Sequence, residues 1–233
     1  MILENDETSL FRHSWSLYDA LAEMNYMHHR EIYACVAELL AEIHQRGPWT
    51  ILDLGCGNAR FLAPCLMSTT PQHYIGIDLS SPALEEAGTR FLADLPSRAL
   101  HCENMLSFME ACPPRSEVIF SSFAVHHLCL DEKRRLFLAC AKALQPNGLI
   151  ILVDVAREEH QDRDSYLATY LGTMRSHWTR VAAHDLDAAC AHVQDFDFPE
   201  TLSTLRIIAQ EAGLNSFELK ASHGAHKVIV MRA

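Results

Sequence analysis

The sequence is short of basic residues. Its 233 residues include 19 Lys and Arg against 30 Asp and Glu, which gives a formal net charge of −11. Proteins that bind nucleic acid usually hold the phosphate backbone with clustered Lys and Arg. The acidic balance therefore disfavours a nucleic-acid partner, although the count alone leaves room for a local basic patch.

The sequence also lacks a long hydrophobic run and closely paired cysteines. The longest apolar stretch, around 149–153, is far short of the ~20 residues that a membrane-spanning helix needs. The acidic start MILENDET does not resemble a secretory signal. The eight cysteines form no C-x-x-C pair and no zinc-ligand spacing. We therefore expect no membrane partner, no metal, and reduced thiols in a cytoplasmic protein.

Apolar runs alternate with amphipathic helical patterns along most of the chain. The patterns predict helices over 31–46, 82–93 and 131–144. Such strand–helix repetition is typical of an α/β fold, in which right-handed crossovers connect parallel strands. Two late strands, 217–220 and 226–232, are predicted to form a hairpin. The earlier predicted strands are 49–55, 73–78, 99–103, 117–122 and 149–155.

Two segments fall outside this alternation. Residues 156–199 are polar and helix-prone, with Gly172 and Pro199 as their only Gly and Pro. We interpret them as a helical lid of two or three helices inserted after the fifth strand. Residues 1–30 are interpreted as N-terminal cap helices. No linker or repeat divides the chain, so the sequence predicts a single domain over 1–233.

Gly55 and Gly57 follow the first predicted strand, directly after Asp53 and Leu54. In open α/β sheets, ligands bind outside the carboxyl ends of the strands, where the strand order reverses. Glycine there lets the backbone approach a ligand closely. The dinucleotide fingerprint has a third glycine where this chain has Arg60, so the loop fits a nucleoside without a pyrophosphate better than NAD or FAD. An ordinary strand-to-helix turn is the alternative.

Asp78 ends the second predicted strand, 21 residues after Gly57. A carboxylate at this place can accept hydrogen bonds from both hydroxyls of a ribose. We include the next residue, Leu79, among the expected cofactor contacts. The alternative role for Asp78 is a helix N-cap, which Ser80 and Ser81 already provide.

Polar residues also follow the third and fourth predicted strands. The amide of Asn104 can pair with the exocyclic amine of adenine, although a turn residue is the simpler interpretation of that position alone. Ser121 opens a polar run that contains His126 and His127. Two adjacent histidines cannot share one face, so at most one should face the crevice. For each histidine, a supporting or surface role is the alternative.

Four segments occur in an order and spacing that resembles the class I S-adenosylmethionine-dependent methyltransferases: DLGCGNA, IGIDLS, VIFSSFAVHHL and LQPNGLIILVD. The resemblance covers roughly residues 30–155, together with the C-terminal segment AGLNSFEL and the hairpin. It implies a Rossmann-like three-layer sandwich with a seven-stranded, mostly parallel sheet in the order 3-2-1-4-5-7-6. It also implies S-adenosyl-L-methionine as cofactor and S-adenosyl-L-homocysteine as product.

The resemblance assigns roles to the loops after the strands. Gly55 and Gly57 would border the methionine part of the cofactor. Asp53 would orient the loop, and Asp78 would hold the ribose. Asn104 and the main-chain amide of Met105 would read the adenine. The chain departs from the family pattern at Ala59, usually glycine, and at Asn104, usually aspartate. The predicted cofactor contacts in this part of the chain are Asp53, Gly55, Gly57, Asp78, Leu79, Asn104, Met105 and Ser121.

Methyl transfer from a sulfonium depends mainly on alignment of the acceptor with the methyl group. A base is needed only when the acceptor must lose a proton, and His126 or His127 is then the first candidate. The acidic pair Asp195 and Asp197 is a further possibility. The lid and the acidic charge favour a small-molecule metabolite as acceptor, methylated at N, O, S or C.

The N-terminal segment and the lid supply the remaining candidates. Tyr26 and Arg30 are predicted to close over the cofactor, with Arg30 pairing with its carboxylate. Trp178 could stack on an aromatic or cationic acceptor. Packing or solvated positions are the alternative for all of these residues. The predicted acceptor contacts are Tyr18, Trp178, His184 and His192.

Two other functions remain open at this point. One is methylation of RNA or of a protein side chain, which the charge count disfavours. The other is a non-catalytic module that binds S-adenosylmethionine, because a fold does not fix a function. The sequence leaves the oligomeric state undecided.

Overall fold

The computed structural model describes residue 21 and residues 23–233, which contain a seven-stranded sheet. Residues 1–20, the greater part of the predicted N-terminal cap, lie outside the described part of the chain. The strands are β1 (Thr50–Leu54), β2 (His73–Asp78), β3 (Arg98–Cys102), β4 (Ser116–Ser122), β5 (Leu144–Val155), β6 (Ser216–His223) and β7 (His226–Arg232).

Helices connect the strands and cover the sheet. Among the described residues, no helix is both long enough and apolar enough to cross a membrane. A short 3₁₀ turn, Val125–His127, follows β4. The helices are α1 (His29–His44), α2 (Ala63–Thr69), α3 (Ser81–Glu86), α4 (Met105–Glu110), α5 (Leu130–Ala143), α6 (Arg163–His177), α7 (Ala183–Phe196) and α8 (Leu202–Glu211).

The strand order is β3-β2-β1-β4-β5-β7-β6, and β7 alone runs antiparallel to its neighbours. Both the order and the reversed last strand confirm the prediction. The chain leaves β1 towards one edge of the sheet and returns to β4 on the other side of β1. The strand order therefore reverses between β1 and β4, and a crevice opens there at the carboxyl ends.

Helices pack on both faces of the sheet, which gives the predicted three layers. On one face Val36 and Leu40 of α1 and Leu66 of α2 belong to a core cluster with strand residues such as Ile51. The central parallel strands are apolar on both faces because helices cover both. On the other face the buried cluster includes Leu136 and Cys140 of α5, Leu205 and Ile208 of α8, and Leu52 of β1.

Residues 156–199 form two long helices, α6 and α7, between β5 and α8. They enclose a third buried cluster that includes Tyr166, Leu171, Met174 and Trp178 and reaches Val155 at the end of β5. The helical character of this insertion agrees with the expectation from the sequence. Its action as a lid remains a prediction.

Two element boundaries differ from the prediction. The helix predicted over 82–93 ends as α3 at Glu86 and continues as a π-helical turn, Ala87–Phe91. The fifth strand begins at Leu144 instead of residue 149, because Leu144 already pairs with Ser116 of β4.

Burial on α8 gives a direct test of the second helical layer. Ile208 is 1% exposed, and its neighbour Ile207 is 53% exposed. We predict that Ile208→Ala lowers the free energy of unfolding by about 2–5 kcal/mol, because the truncation leaves a cavity in the core. Ile207→Ala should change it by about 0.5 kcal/mol or less. Urea unfolding of both variants measures the difference, and equal losses would contradict this packing.

Candidate functional site

A cavity of about 340 Å³ lies at the carboxyl ends of β1, β2 and β4. Its walls come from the glycine loop after β1, from Asp78 and Leu79 after β2, and from Asn104 and Met105 after β3. The order reversal between β1 and β4 places the cavity here. The structure therefore brings most of the predicted cofactor contacts to one place.

The loop after β1 follows a path that favours glycine. Gly55 and Gly57 have φ values of +69° and +52°. A Cβ on Gly55 would lie 2.4 Å from the Cβ of Ala124, so this position admits no side chain. A Cβ on Gly57 would meet no protein atom within 4 Å, so the loop faces open space there. Ala59, in place of the usual third glycine, also adopts a positive φ of +57°, a conformation that disfavours a Cβ.

The Asp78 carboxylate joins the loops after β1 and β2. Its Oδ2 accepts a hydrogen bond of 2.7 Å from the Gly57 N–H, and its Oδ1 accepts one of 2.7 Å from the Ser80 N–H. Burial raises the pKa of Asp78, although hydrogen bonds from Ser80, Gly57 and Leu79 oppose the shift. The N-cap of α3 is Ser80, whose Oγ accepts from the Ala83 N–H, so Asp78 does not fill that alternative role.

Asp53 lies beneath the loop and is almost fully buried. The Tyr74 hydroxyl donates a 2.7 Å hydrogen bond to its Oδ2. Burial raises the pKa of Asp53 to about 7, while the bond from Tyr74 opposes the rise. Both residues are buried, so this pair fixes the base of the loop from below.

Asn104 caps α4. Its Oδ1 accepts hydrogen bonds from the N–H groups of Leu106 and Ser107, at 2.9 and 3.1 Å. Asn104 therefore has the turn role that the sequence also allowed, and its side-chain oxygen is already hydrogen-bonded within the chain. The amide group of Asn104 leaves N–H donors for a ligand, so it suits a ring nitrogen of adenine better than the exocyclic amine.

Ser121 is not among the residues that line the cavity, which corrects the prediction for this strand. Its Oγ donates to the Leu54 carbonyl oxygen at 2.7 Å and is buried within the sheet. Side chains alternate along a strand, so the next residue, Ser122, faces the cavity instead. Ser122 Oγ accepts a 2.9 Å hydrogen bond from the Tyr33 hydroxyl.

His126 and His127 occupy different environments, as the sequence suggested for neighbouring residues. His126 is buried; its Nδ1 pairs with Asp154 of β5, and its Nε2 lies 3.6 Å from Asp197 Oδ1. Burial opposes protonation of His126, but Asp154 and Asp197 outweigh it and raise its pKa to about 9. His126 is therefore a buried imidazolium in an ion-paired group, and it is not among the cavity-lining residues.

His127 lines the cavity. Its Nδ1 lies 3.1 Å from the Phe196 carbonyl oxygen and 3.6 Å from Asp197 Oδ1. Burial and the neighbouring His126 cation lower the pKa of His127 to about 2, so the ring is neutral at physiological pH. His192 of α7 packs edge-on against it at 5.4 Å and also lines the cavity.

Three of these side chains have the composition of a metal site. The candidate ligand atoms of His126, His127 and Asp197 lie within 4.8 Å of one another. In the described chain, Asp197 Oδ1 is buried and makes no hydrogen bond. A divalent cation would have to displace the proton of the His126 imidazolium, because a ligating histidine is neutral.

Several predicted contacts lie away from the cavity lining. The ring of Tyr26 stacks on that of Trp178 at 5.7 Å, and the Tyr26 hydroxyl accepts a hydrogen bond from the Arg180 N–H. Tyr26 and Trp178 therefore pack the segment before α1 against the α6–α7 insertion. Arg30 is exposed and donates to the Glu23 carbonyl oxygen. His184 is 85% exposed in its side chain and pairs with Asp185. Tyr18 lies outside the described residues.

The sequence reasoning missed an aromatic wall of the cavity. His29 and Tyr33 of α1 line it together with Phe61 and Phe123. The His29 ring stacks on Phe61 at 4.0 Å and meets Phe123 edge-on at 5.5 Å. The signal available in the sequence was the i, i+4 spacing of His29 and Tyr33, which places both rings on one helix face.

Comparison with known proteins gives a consistent result. Residues 52–150 match a family described as a methyltransferase domain. An uncharacterized methyltransferase of Bacillus pumilus is 27% identical over 146 residues, which cover 63% of this chain and 65% of the relative. The chain thus spans less than two thirds of the length of this relative.

Solved structures share the fold at low sequence identity. An O-methyltransferase family protein from Burkholderia thailandensis matches with a TM-score of 0.69 at 16% identity, covering 97% of this chain and 62% of that one. Human N-acetylserotonin methyltransferase, in complex with S-adenosylmethionine, matches with a TM-score of 0.62 at 15% identity, covering 98% of this chain and 59% of that one. These likenesses establish the class I methyltransferase fold.

The buried His126 gives a prediction on pH and stability. Its pKa is near 6.5 in an unfolded chain and is raised to about 9 in the folded one. A raised pKa contributes stability that is complete below pH 6.5 and is lost as pH rises through about 9. We predict that the free energy of unfolding falls on the order of 2–3 kcal/mol over this interval.

Urea unfolding at a series of pH values measures this loss. His126→Gln removes the titrating group, so its stability should depend less on pH between 6.5 and 9, while contributions from the buried thiols remain in both proteins. Parallel pH profiles for the native chain and His126→Gln would rule out a buried imidazolium at this position.

Proposed function

We propose that this chain, whose residues 52–150 form a class I methyltransferase domain, transfers a methyl group from S-adenosyl-L-methionine to a small molecule. The observation that carries the proposal is the Asp78 carboxylate beside the open face of the Gly57 loop. The methyltransferase family uses this cofactor, and the residues present fit it.

The fit can be followed along the cavity. The Gly55–Gly57 loop has no side chain on its open face, so it would border the methionine part. The carboxylate of Asp78 keeps acceptor capacity for the ribose hydroxyls, since its two oxygens offer about four lone-pair sites and three backbone N–H groups donate to them. Leu79, Asn104 and Met105 would surround the adenine.

When bound, S-adenosyl-L-methionine supplies the methyl group and the thioether leaving group. The protein's part is to hold the acceptor within about 3–3.5 Å of the methyl carbon, which can contribute ~7–11 kcal/mol of the rate enhancement. The aromatic wall of His29, Tyr33, Phe61 and Phe123 excludes water and offers flat apolar surface to an acceptor. The α6–α7 insertion closes this end of the cavity as a lid through His192 and Phe196.

His127 is the candidate general base for an acceptor that must lose a proton. It lines the cavity and is neutral, so it can accept a proton, but burial and the His126 cation that lower its pKa to about 2 also make it a weak base. His126 is a less suitable base because it is already a cation and is ion-paired on both sides. For an acceptor with a free lone pair, alignment alone is sufficient.

A small molecule is favoured over RNA or protein as acceptor. The cavity is about 340 Å³ and is walled by the insertion on one side and α1 on the other. The formal net charge of −11 would repel a polyanion. A cytoplasmic location agrees with the eight free cysteines, three of them exposed.

The first test measures cofactor binding. We predict that calorimetry with S-adenosyl-L-homocysteine gives saturable binding to the native chain, weakened at least ~10-fold in Asp78→Asn, because the amide loses one acceptor and the charge. Asp94→Asn, an exposed carboxylate after β2, is the matched control and should bind like the native chain. Absence of binding, or equal affinity in both variants, would sink the proposed function.

The second test concerns His127. Once an acceptor is found by incubation with labelled cofactor and a metabolite extract, His127→Gln should lower kcat by at most about 10² if that acceptor must lose a proton, because the low pKa of His127 weakens it as a base. The affinity for S-adenosyl-L-homocysteine should be unchanged, because His127 is not among the residues proposed to contact the cofactor. Unimpaired turnover of a hydroxyl acceptor would remove His127 from the role of base.

A further inference from the structure

Asp197 brings a buried carboxylate to the two histidines after β4. It is the first residue after α7 and is 4% exposed. Its Oδ1 lies 3.6 Å from His126 Nε2 and 3.6 Å from His127 Nδ1. Within the described part of the chain, this oxygen makes no hydrogen bond. A buried carboxylate oxygen without a hydrogen-bond partner is costly, so this position favours a positive group that the oxygen can bind directly.

The separations between these atoms are too wide for direct ion pairs. A charge-assisted bond between a histidine cation and a carboxylate is about 2.7–2.9 Å long. Two ligand atoms that each lie about 2.0–2.1 Å from a tetrahedral metal ion are about 3.4 Å apart. The two measured separations of 3.6 Å are closer to the second value, and one candidate ligand atom from each of the three residues lies within 4.8 Å of the others.

The second ring nitrogen of His126 is held in the way that is common for metal-binding histidines. Its Nδ1 pairs with Asp154 of β5, and a ligating histidine usually donates its other N–H to a carboxylate or a carbonyl oxygen. The Nε2 atom is thereby left facing Asp197. The Phe198 N–H also donates to the His126 carbonyl oxygen at 2.7 Å, which fixes the chain beside Asp197 to the same histidine.

The charges of the cluster balance for a divalent ion. Binding replaces the Nε2 proton of the His126 imidazolium with the metal, and that proton is released to solvent. Both histidines are then neutral, so the carboxylates of Asp154 and Asp197 match the two positive charges of the ion. The buried Lys133 opposes a further cation here, but its Nζ donates to two main-chain carbonyl oxygens.

The donor set selects the kind of metal. Imidazole suits Zn²⁺ and the neighbouring transition metals, whereas Mg²⁺ and Ca²⁺ prefer oxygen ligands. Two histidines and one carboxylate are three protein ligands, so a tetrahedral ion keeps one position open. The side chain of His127 is 29% exposed and lines the cavity, which gives an ion a path to the cluster.

We propose that His126 Nε2, His127 Nδ1 and Asp197 Oδ1 form a site for one Zn²⁺ ion, which joins the end of the insertion to the turn after β4. The inference goes beyond the proposed methyl transfer and does not depend on it. It runs against the expectation of no metal, which rested on cysteine spacing. Binding replaces the 3.1 Å contact of His127 Nδ1 with the Phe196 carbonyl oxygen. A zinc-bound His127 is no longer a base, so the two roles exclude each other.

The experiment measures the zinc affinity of the full chain. The protein is stripped of metal with EDTA and dialysed, and its exposed thiols are blocked with iodoacetamide because Cys102, Cys112 and Cys129 can also bind zinc. Titration against a chromogenic zinc chelator gives the stoichiometry and the Kd. Co²⁺ in place of Zn²⁺ reports the coordination through its visible absorption. We expect one equivalent of ion and the spectrum of four-coordinate Co²⁺.

Two ligand variants are each paired with a matched control. Asp197→Asn removes the anionic ligand, and Asp195→Asn changes an exposed carboxylate on α7. His127→Gln removes one imidazole, and His184→Gln changes a histidine of α7 whose side chain is 85% exposed. His127 is only partly buried, so its variant keeps the test informative if Asp197→Asn fails to fold. Circular dichroism checks the folding of each variant.

We expect both ligand variants to lose at least ~100-fold in zinc affinity, and both controls to stay within about 2-fold of the native chain. A native chain that does not bind one equivalent overturns the proposal. So does native affinity in a folded Asp197→Asn or His127→Gln, because the zinc would then be held by other residues. Binding of S-adenosyl-L-homocysteine is measured on the same samples, so failure of the proposed function is seen separately.

Discussion

The site depends on one carboxylate. Asp78 accepts main-chain hydrogen bonds from Gly57 and Ser80, and it thereby joins the loops that leave β1 and β2. The N–H groups of Gly55 and Cys56 add two bonds to the Ile77 carbonyl oxygen at the end of β2. The carboxylate is also the group with lone pairs to offer to a ribose. The interaction that shapes the empty cavity is therefore the one that would recognise the ligand, and the open face of Gly57 beside it fits a nucleoside.

The two histidines after β4 show how burial divides similar residues into different roles. His126 lies between Asp154 and Asp197, where two carboxylates make the cation the stable form. That cation in turn keeps His127 neutral at the cavity wall. A buried ion pair contributes little net stability by itself, because desolvation offsets the attraction. The charge of His126 lowers the pKa of the neighbouring His127. The pairs of His126 with Asp154 and Asp197 also connect β5 to the end of the α6–α7 insertion.

The strand order and the reversed β7 were predicted from the family resemblance. The glycine loop and Asp78 were predicted from local sequence and from the rule that ligands bind at strand ends. The predictions were wrong where a shift of one residue along a strand, or a contact between distant segments, decides which side chain faces the cavity. Ser122 faces the cavity where Ser121 was predicted to, because consecutive side chains of β4 point to opposite faces of the sheet.

The remaining errors concern contacts between distant segments. Tyr26 and Trp178 are separated by 152 positions in the chain, and their stacking against each other could not be derived from spacing. The same is true of Asp154, the last residue of the segment LQPNGLIILVD, which pairs with His126 across 28 residues. Each of these residues has a polar or aromatic group that suits a ligand, but the fold satisfies that group internally.

The central claim is that Asp78 holds the sugar of a nucleoside cofactor beside the Gly55–Gly57 loop. A crystal structure of the chain grown with S-adenosyl-L-homocysteine tests this most directly. The account predicts both ribose hydroxyls within hydrogen-bonding distance, about 2.5–3.0 Å, of the Asp78 carboxylate oxygens. A ligand bound elsewhere, or bound in this cavity with its ribose away from Asp78, would contradict the account.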